Sequence, residues 1–165
     1  MSFMQINDSA LIDRMSQVAD RMSDTTPLAA AIALSLDTVT QDNFDNGGRP
    51  TWAGLKDGGA SHLYRSGNLR RSITTQHTRD QAIIGTNVPY AAILHWGGQT
   101  RPHVIRPRNK QALSFNGLVF TQVNHPGSKF PARPYLPIDE RGFLQREAED
   151  AIFDDVDFYW HKSFG

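Results

Sequence analysis

Along the first fifty residues the apolar positions recur at helical spacing. Leu11, Ile12, Met15, Val18, Ala19 and Met22 fall within about a 120° arc at about 100° per residue, which predicts an amphipathic helix over 9–23. Asp8 or Ser9 can cap its start. Thr26-Pro27 is a second start signal, with Thr26 as N-cap and Pro27 at the first helical position. The helix predicted over 27–44 carries Leu28, Ile32, Leu36 and Val39 on one stripe, while Ala29, Ala30, Ala31, Ala33 and Leu34 make its other sides apolar. A helix apolar on more than one face packs against two partners, either within one subunit or between copies.

Beyond Asn46-Gly47-Gly48-Arg49-Pro50 the pattern weakens into a loop running to about Leu63, with Trp52, Leu55, Leu63 and Tyr64 as anchors. Loops of this length are more often functional or disordered than incidental. Ser66-Gly67-Asn68 opens a short turn carrying Leu69 and Ile73, and 72–77 and 81–86 read as strands joined by Thr78-Arg79-Asp80. Pro89 opens a short helix that Gly97-Gly98 stops, and Tyr90, Ile93 and Trp96 are expected to anchor it to the core. A basic, proline-punctuated arm follows. Strands at 111–115 and 118–123 flank Asn116-Gly117, a pair suited to a tight hairpin because both central positions need positive φ. A loop runs from His125 to Lys129, and Pro131 to Pro137 is too proline-rich for a central strand. Leu144, Ala148, Ala151, Ile152, Val156 and Tyr159 lie within about a 140° arc, predicting a last helix over Asp139–Trp160 with Asp139 and Glu140 at its positive end.

The architecture expected is α+β in a single domain over 1–165. Two N-terminal helices occupy 9–44, a small antiparallel sheet with a long hairpin, arms and an inserted short helix occupies 66–136, and a C-terminal helix closes the chain at 139–160. No stretch reaches the roughly 20 consecutive apolar residues of a membrane span, and Met1 to Asp8 lacks the pattern of a secretory signal. Cysteine is absent, which excludes disulfide scaffolds and thiolate chemistry and fits a reducing compartment.

The zero net charge hides a segregation. Met1 to Gly48 holds seven acids and two bases, Arg49 to Arg133 twelve bases and two acids, and Pro134 to Gly165 eight acids and three bases. Acidic surfaces are therefore expected to meet a basic one, within the fold or between copies of it.

The sequence offers little to a chemist. His62, His77, His95, His103, His125 and His161 show no paired metal-ligand spacing. Asp154, Asp155 and Asp157 lack a second set of oxygen ligands and read as a solvated face. Gly85-Thr86-Asn87 sits between a strand and a helix but has neither the glycine spacing nor the lysine of a phosphate loop, and Ser66 lacks a nucleophile-elbow pattern. No catalytic, cofactor-binding or metal-binding residue is expected, nor an enzyme. The basic arm is the remaining candidate: Arg101, Arg106, Arg108 and Lys110, with His103 beside them, lie in an acid-free run. Such a cluster can bind phosphates, meet an acidic neighbouring subunit, or simply be solvated. It lacks the interleaved aromatics of single-strand binders.

One run identifies a family. Gly85-Thr86-Asn87-Val88-Pro89-Tyr90-Ala91-Ala92-Ile93-Leu94-His95-Trp96-Gly97-Gly98, followed by Pro131-Ala132-Arg133-Pro134-Tyr135-Leu136, resembles the phage virion morphogenesis family, the tail-completion proteins of Mu-like tailed phages. The segments Phe44 to Trp52 and Ser66 to Ile73 fit the same pattern in order, so the likeness covers roughly residues 27–140. Arg101 to Lys129, with its Asn-Gly hairpin, also resembles neck proteins of lambdoid phages. The resemblance implies a structural virion protein that completes the tail or joins head to tail in the neck, as a hexameric ring. It implies no cofactor and no membrane. Its partners would be copies of itself and the neck, connector and tail-tube proteins, with genomic DNA passing through the lumen, and it would be assembled in the host bacterial cytoplasm. Gly85, Asn87, Pro89, Tyr90, Trp96, Gly97, Gly98, Arg133 and Pro134 would be structural members of the motif. The alternatives are a DNA-binding accessory protein of phage packaging and a small metal-dependent phage hydrolase.

Overall fold

The longest helix, α2 (Thr26–Asn46), is the element around which the others gather. The structure is a computed structural model and describes residues 9–55, 58–59, 63, 66–109, 111–139 and 141–164. Before α2 lies α1 (Ser9–Ser23). After it come α3 (Asn68–Arg71), a hairpin of β1 (Thr74–His77) and β2 (Ala82–Gly85), α4 (Ala91–Trp96), six short strands, and α5 (Arg146–Phe164). The class is α+β, as the pattern predicts.

Two buried clusters hold these elements together. Leu36 and Val39 of α2 pack with Ala148 of α5, flanked by Ile32, Ile84, Ala151 and Ile152. Phe44, Trp52, Leu69, Ala91 and Tyr135 form the other. Here Phe44 stacks on Tyr135 with centroids 5.5 Å apart and meets Trp52 edge-on at 5.9 Å, both arrangements that suit ring quadrupoles. The alanine-rich face of α2 is what lets neighbours approach: Ala29 and Ala33 are buried. Two faces of α2 are thus used within one subunit, against α5 and against the β1–β2 hairpin.

Glycine chemistry ends α2. Gly47 is left-handed (φ 72°), and Gly48 N–H donates to Asn43 O at 2.7 Å, closing the last turn as left-handed caps do. A Cβ on Gly48 would overlap the Trp52 indole. The pair therefore stops the helix and makes room for Trp52 to fold back.

At the other end, Thr26 is not the N-cap. It is already helical, and Asp24 Oδ1 accepts its N–H at 3.1 Å. The last helix also departs from expectation, beginning at Arg146. Asp139 spends its carboxylate on a turn, accepting the N–H groups of Arg141 and Phe143 at 2.9 Å, and Gly142 adopts φ 85°. Leu144 bridges to Ile138 instead of joining the helical stripe. The acids at the positive end of α5 are Glu147 and Glu149, whereas Glu140 lies outside the described residues. Along α1 the described members of the predicted apolar stripe are not core: Ile12 is 56% and Met15 64% exposed.

The six remaining strands form three antiparallel pairs nested in one arm. Gly98–Gln99 (β3) pairs with Lys129–Phe130 (β8), His103–Ile105 (β4) with Val123–His125 (β7), and Leu113–Phe115 (β5) with Leu118–Phe120 (β6). β3–β8 and β4–β7 keep one register; before β5 the chain slips, with 106–112 facing only 121–122. Asn116 (φ 52°) and Gly117 (φ 75°) make the tight turn at the tip. The hairpin is thus longer than the 111–123 ribbon predicted, because His103–Ile105, within the basic run, is itself a strand. With β1–β2, the sheet is a set of two-stranded ribbons.

Candidate functional site

The motif residues converge where the arm leaves the body. Arg133 is buried and donates to the carbonyls of Ala53 (3.2 Å) and Gly54 (3.4 Å), so it clamps the loop after α2. Its own N–H donates to Leu94 O at 2.9 Å. Trp52 Nε1 donates to Pro134 O at 2.9 Å. Gly97 sits against Ala132 and Phe130: with φ 73°, a Cβ there would stand 2.7 Å from Ala132 N and 2.9 Å from Phe130 O. Gly98 also has positive φ, at 147°. By contrast, nothing lies within 4 Å of a Cβ on Gly85. Asn87 and Pro89 are exposed in the connection to α4.

The anchoring of α4 differs from expectation. Tyr90 and Trp96 are each 44% exposed, and Ala91 and His95 face inward instead. His95 Nδ1 accepts the N–H groups of Tyr135 (3.3 Å) and Leu136 (3.4 Å), a reason for a buried histidine that linear spacing cannot reveal. Burial pulls its pKa below the ordinary value, against a weaker raising contribution from the Ile138 backbone, so the ring is neutral. Burial also pushes the Tyr135 phenol up to about 12. A cleft of about 260 Å³ touches His95, Trp52, Trp96 and Asp139. The Asp139 carboxylate there is held by the Phe143 and Arg141 N–H groups, which lower its pKa. His95 Nδ1 and the Asp139 carboxylate are thus engaged by backbone N–H groups, an arrangement that fixes chain geometry, while His95 Nε2 is buried with no hydrogen-bond partner among the described residues.

Other residues singled out for chemistry are placed as follows. Thr86 Oγ1 meets Ser72 Oγ at 2.6 Å and accepts Val88 N–H at 3.2 Å, closing a local turn. Ser66 Oγ lies 3.4 Å from Asn68 N. His103 and His125 face each other across β4–β7 with ring centroids 5.0 Å apart, and His125 Nδ1 accepts Gly127 N–H at 3.0 Å. Among the described residues no three metal-ligating side chains converge; His62 lies outside them. Asp157 pairs with His161 at 3.5 Å along α5.

The charge segregation resolves into two parts. Arg70 forks onto Asp45 (2.5 and 2.9 Å) and onto Gln41 Oε1 at 2.7 Å. Arg49 reaches Asp42 (3.9 Å) and Glu147 (3.8 Å), bridging α2 to α5. Those bases meet acidic helices inside the subunit. Arg101, Arg106 and Arg108 do not: all three are exposed on the arm, and no carboxylate of the described residues pairs with them. Lys110 lies outside the described residues. No acid occurs between Asp80 and Asp139, so the whole arm is basic. Its apolar residues are exposed as well, with Val104 at 48%, Phe115 at 48%, Leu118 at 59% and Val119 at 70%.

The family model of phage virion morphogenesis proteins matches residues 6–159. The chain belongs to the phage virion morphogenesis family. Its role is accordingly structural or in assembly of a phage particle. Two relatives of this virion morphogenesis protein are informative. The Mu-like prophage FluMu G protein 2 of Haemophilus influenzae is 36% identical over 93 residues, covering 56% of this chain and 67% of that protein. The putative capsid assembly protein G of Escherichia phage Mu is 37% identical over 92 residues, covering 56% of this chain and 44% of that protein. The match therefore spans less than half of the phage Mu protein. No solved structure matches. No helix among the described residues is long and apolar enough to cross a membrane.

Proposed function

We propose that this virion morphogenesis protein completes the tail, or joins head to tail, as one of several copies in a ring at the neck of the particle. The observation that carries the reading is the arm: an extended basic ribbon with exposed apolar side chains whose arginines meet no acid among the described residues. A two-stranded ribbon is marginal in water alone, and exposed apolar clusters rimmed by charge mark interaction surfaces. Binding to copies of itself and to neck, connector and tail-tube proteins would cover it, with genomic DNA threading the ring. No bond is made or broken in this role, and it needs no cofactor. Light scattering and electron microscopy of the protein, alone and with adjoining connector and tail proteins, test it. Rings or partner complexes are the expected result; a monomer that binds none of them at any concentration removes the reading.

A further inference from the structure

The arm needs a receptor, and the same chain carries one of opposite character. Between α1, α2 and α5 lies an open cavity of about 780 Å³. Leu28, Ala31 and Phe158 supply apolar lining, and three acids, Asp20, Asp24 and Asp155, outnumber the one base, Lys162. Phe158 is 70% exposed. One oxygen of Asp155, Oδ2, is buried with no hydrogen-bond partner among the described residues, so the carboxylate has hydrogen-bonding capacity that these residues leave unused.

The donor surface matches feature by feature. Phe115, Leu118 and Val119 form an apolar tip, and Arg106 and Arg108 stand at its shoulder. The shorter limb, from Leu118 to Phe130, sets the reach of the ribbon at roughly 40 Å if straight, at about 3.3 Å per residue, enough to cross onto a neighbour. Strands β4 to β7 pack chiefly on one another, so the tip is left for another molecule. Nucleic acid would satisfy the arginines alone and leave the apolar tip uncovered.

We propose that the arm of one copy docks into the α1–α2–α5 groove of a second copy, its apolar tip on Leu28 and Phe158 and its arginines toward Asp20 and Asp155. Donor and acceptor are different surfaces of one chain, so the contact is head-to-tail, and such contacts propagate until the rotation closes a ring. Unlike charges set the register and speed encounter. This inference rests on the reading that copies assemble, and it names the two faces that meet.

The chain has no cysteine, so introduced thiols report unambiguously. Val119→Cys and Ala31→Cys proteins, each full length and checked for an unchanged thermal transition, are mixed under assembly conditions and joined with a short bismaleimide. Cross-linking between the two variants, well above that of either alone, is the expected result. Val119→Ser with Leu118→Ser, which leaves every charge in place, is expected to weaken self-association by about tenfold or more. If rings form but join tip to tip, or join neither position, the arm–groove contact is wrong while the ring reading stands. If the serine variant assembles normally and Arg106→Glu with Arg108→Glu loses only salt-sensitive binding to duplex DNA, the arm is a nucleic-acid surface and the inference falls. If the unmodified protein never associates with itself or with neck partners, both fall together.

Discussion

The Asn43 carboxamide donates to the Tyr135 carbonyl at 3.1 Å, although the two residues stand at opposite ends of the fold's sequence. Its second N–H goes to Gln145 Oε1 at 2.9 Å, and Gln145 in turn donates to the Arg49 carbonyl. One buried amide thus ties α2 to the proline-rich segment and to the start of α5. Asn43→Leu keeps the branching of the side chain but strands the Tyr135 carbonyl in the core. It should lower unfolding free energy by about 2 kcal/mol, the cost of a buried polar group left unpaired. Urea titration checks this; a loss below about 0.5 kcal/mol would show that the pair carries no weight.

The motif glycines should separate sharply. Gly97→Ala forces a Cβ into Ala132 and Phe130 at a backbone angle that side chains avoid, so a loss of about 3 kcal/mol or more is expected. Gly85→Ala meets open space and should change stability by less than about 1 kcal/mol. Thermal melts of the two variants decide the matter. Equal transitions would mean that the arm root is not under the constraint described.

His95 gives stability a pH dependence whose sign is fixed by its lowered pKa. The unfolded chain takes up a proton near the ordinary histidine value of 6.5, whereas the folded chain resists protonation to lower pH. The neutral ring's contribution is therefore complete above that value and is lost progressively as pH falls below it toward the folded pKa. His95→Asn keeps an acceptor near the Tyr135 and Leu136 N–H groups but does not titrate. Its urea midpoint should be lower at about pH 7.5 and should fall less between about pH 7 and 5 than that of the parent chain. Parallel curves would remove His95 as the cause.

What the sequence disclosed follows from the range of the forces involved. Helical periodicity, the Gly47-Gly48 stop and the Asn116-Gly117 turn are local signals, and each element they predict is present. The start of α5 is at Arg146 and not at Asp139, because Asp139 also suits a turn and Gly142 decides between the two uses. The arm root leaves no periodic trace because β3, β4, β7 and β8 are two or three residues long, too short for alternation to show. His95 and Asn43 take their roles from backbone groups far along the chain, which periodicity does not record. The groove has a readable trace in Phe158, which lines it, lies off the core stripe of α5 and is 70% exposed.

Reversing charge on the arm should divide assembly from folding. Arg106 and Arg108 are exposed, and neither pairs with a carboxylate of the described residues. Replacing both with Glu therefore removes no ion pair the described subunit makes, and surface changes of this kind move stability by about 0.5 kcal/mol or less. Against an acid-lined partner, however, the same change turns attraction into repulsion, which costs several kcal/mol at an interface. The double variant Arg106→Glu, Arg108→Glu should melt with the parent chain yet fail to form rings or to join neck partners, as seen by sedimentation. High salt should narrow the difference, because screening weakens repulsion between exposed charges as it weakens attraction. A sharp fall in melting temperature with normal assembly per folded molecule would instead make the arm a structural part of its own subunit.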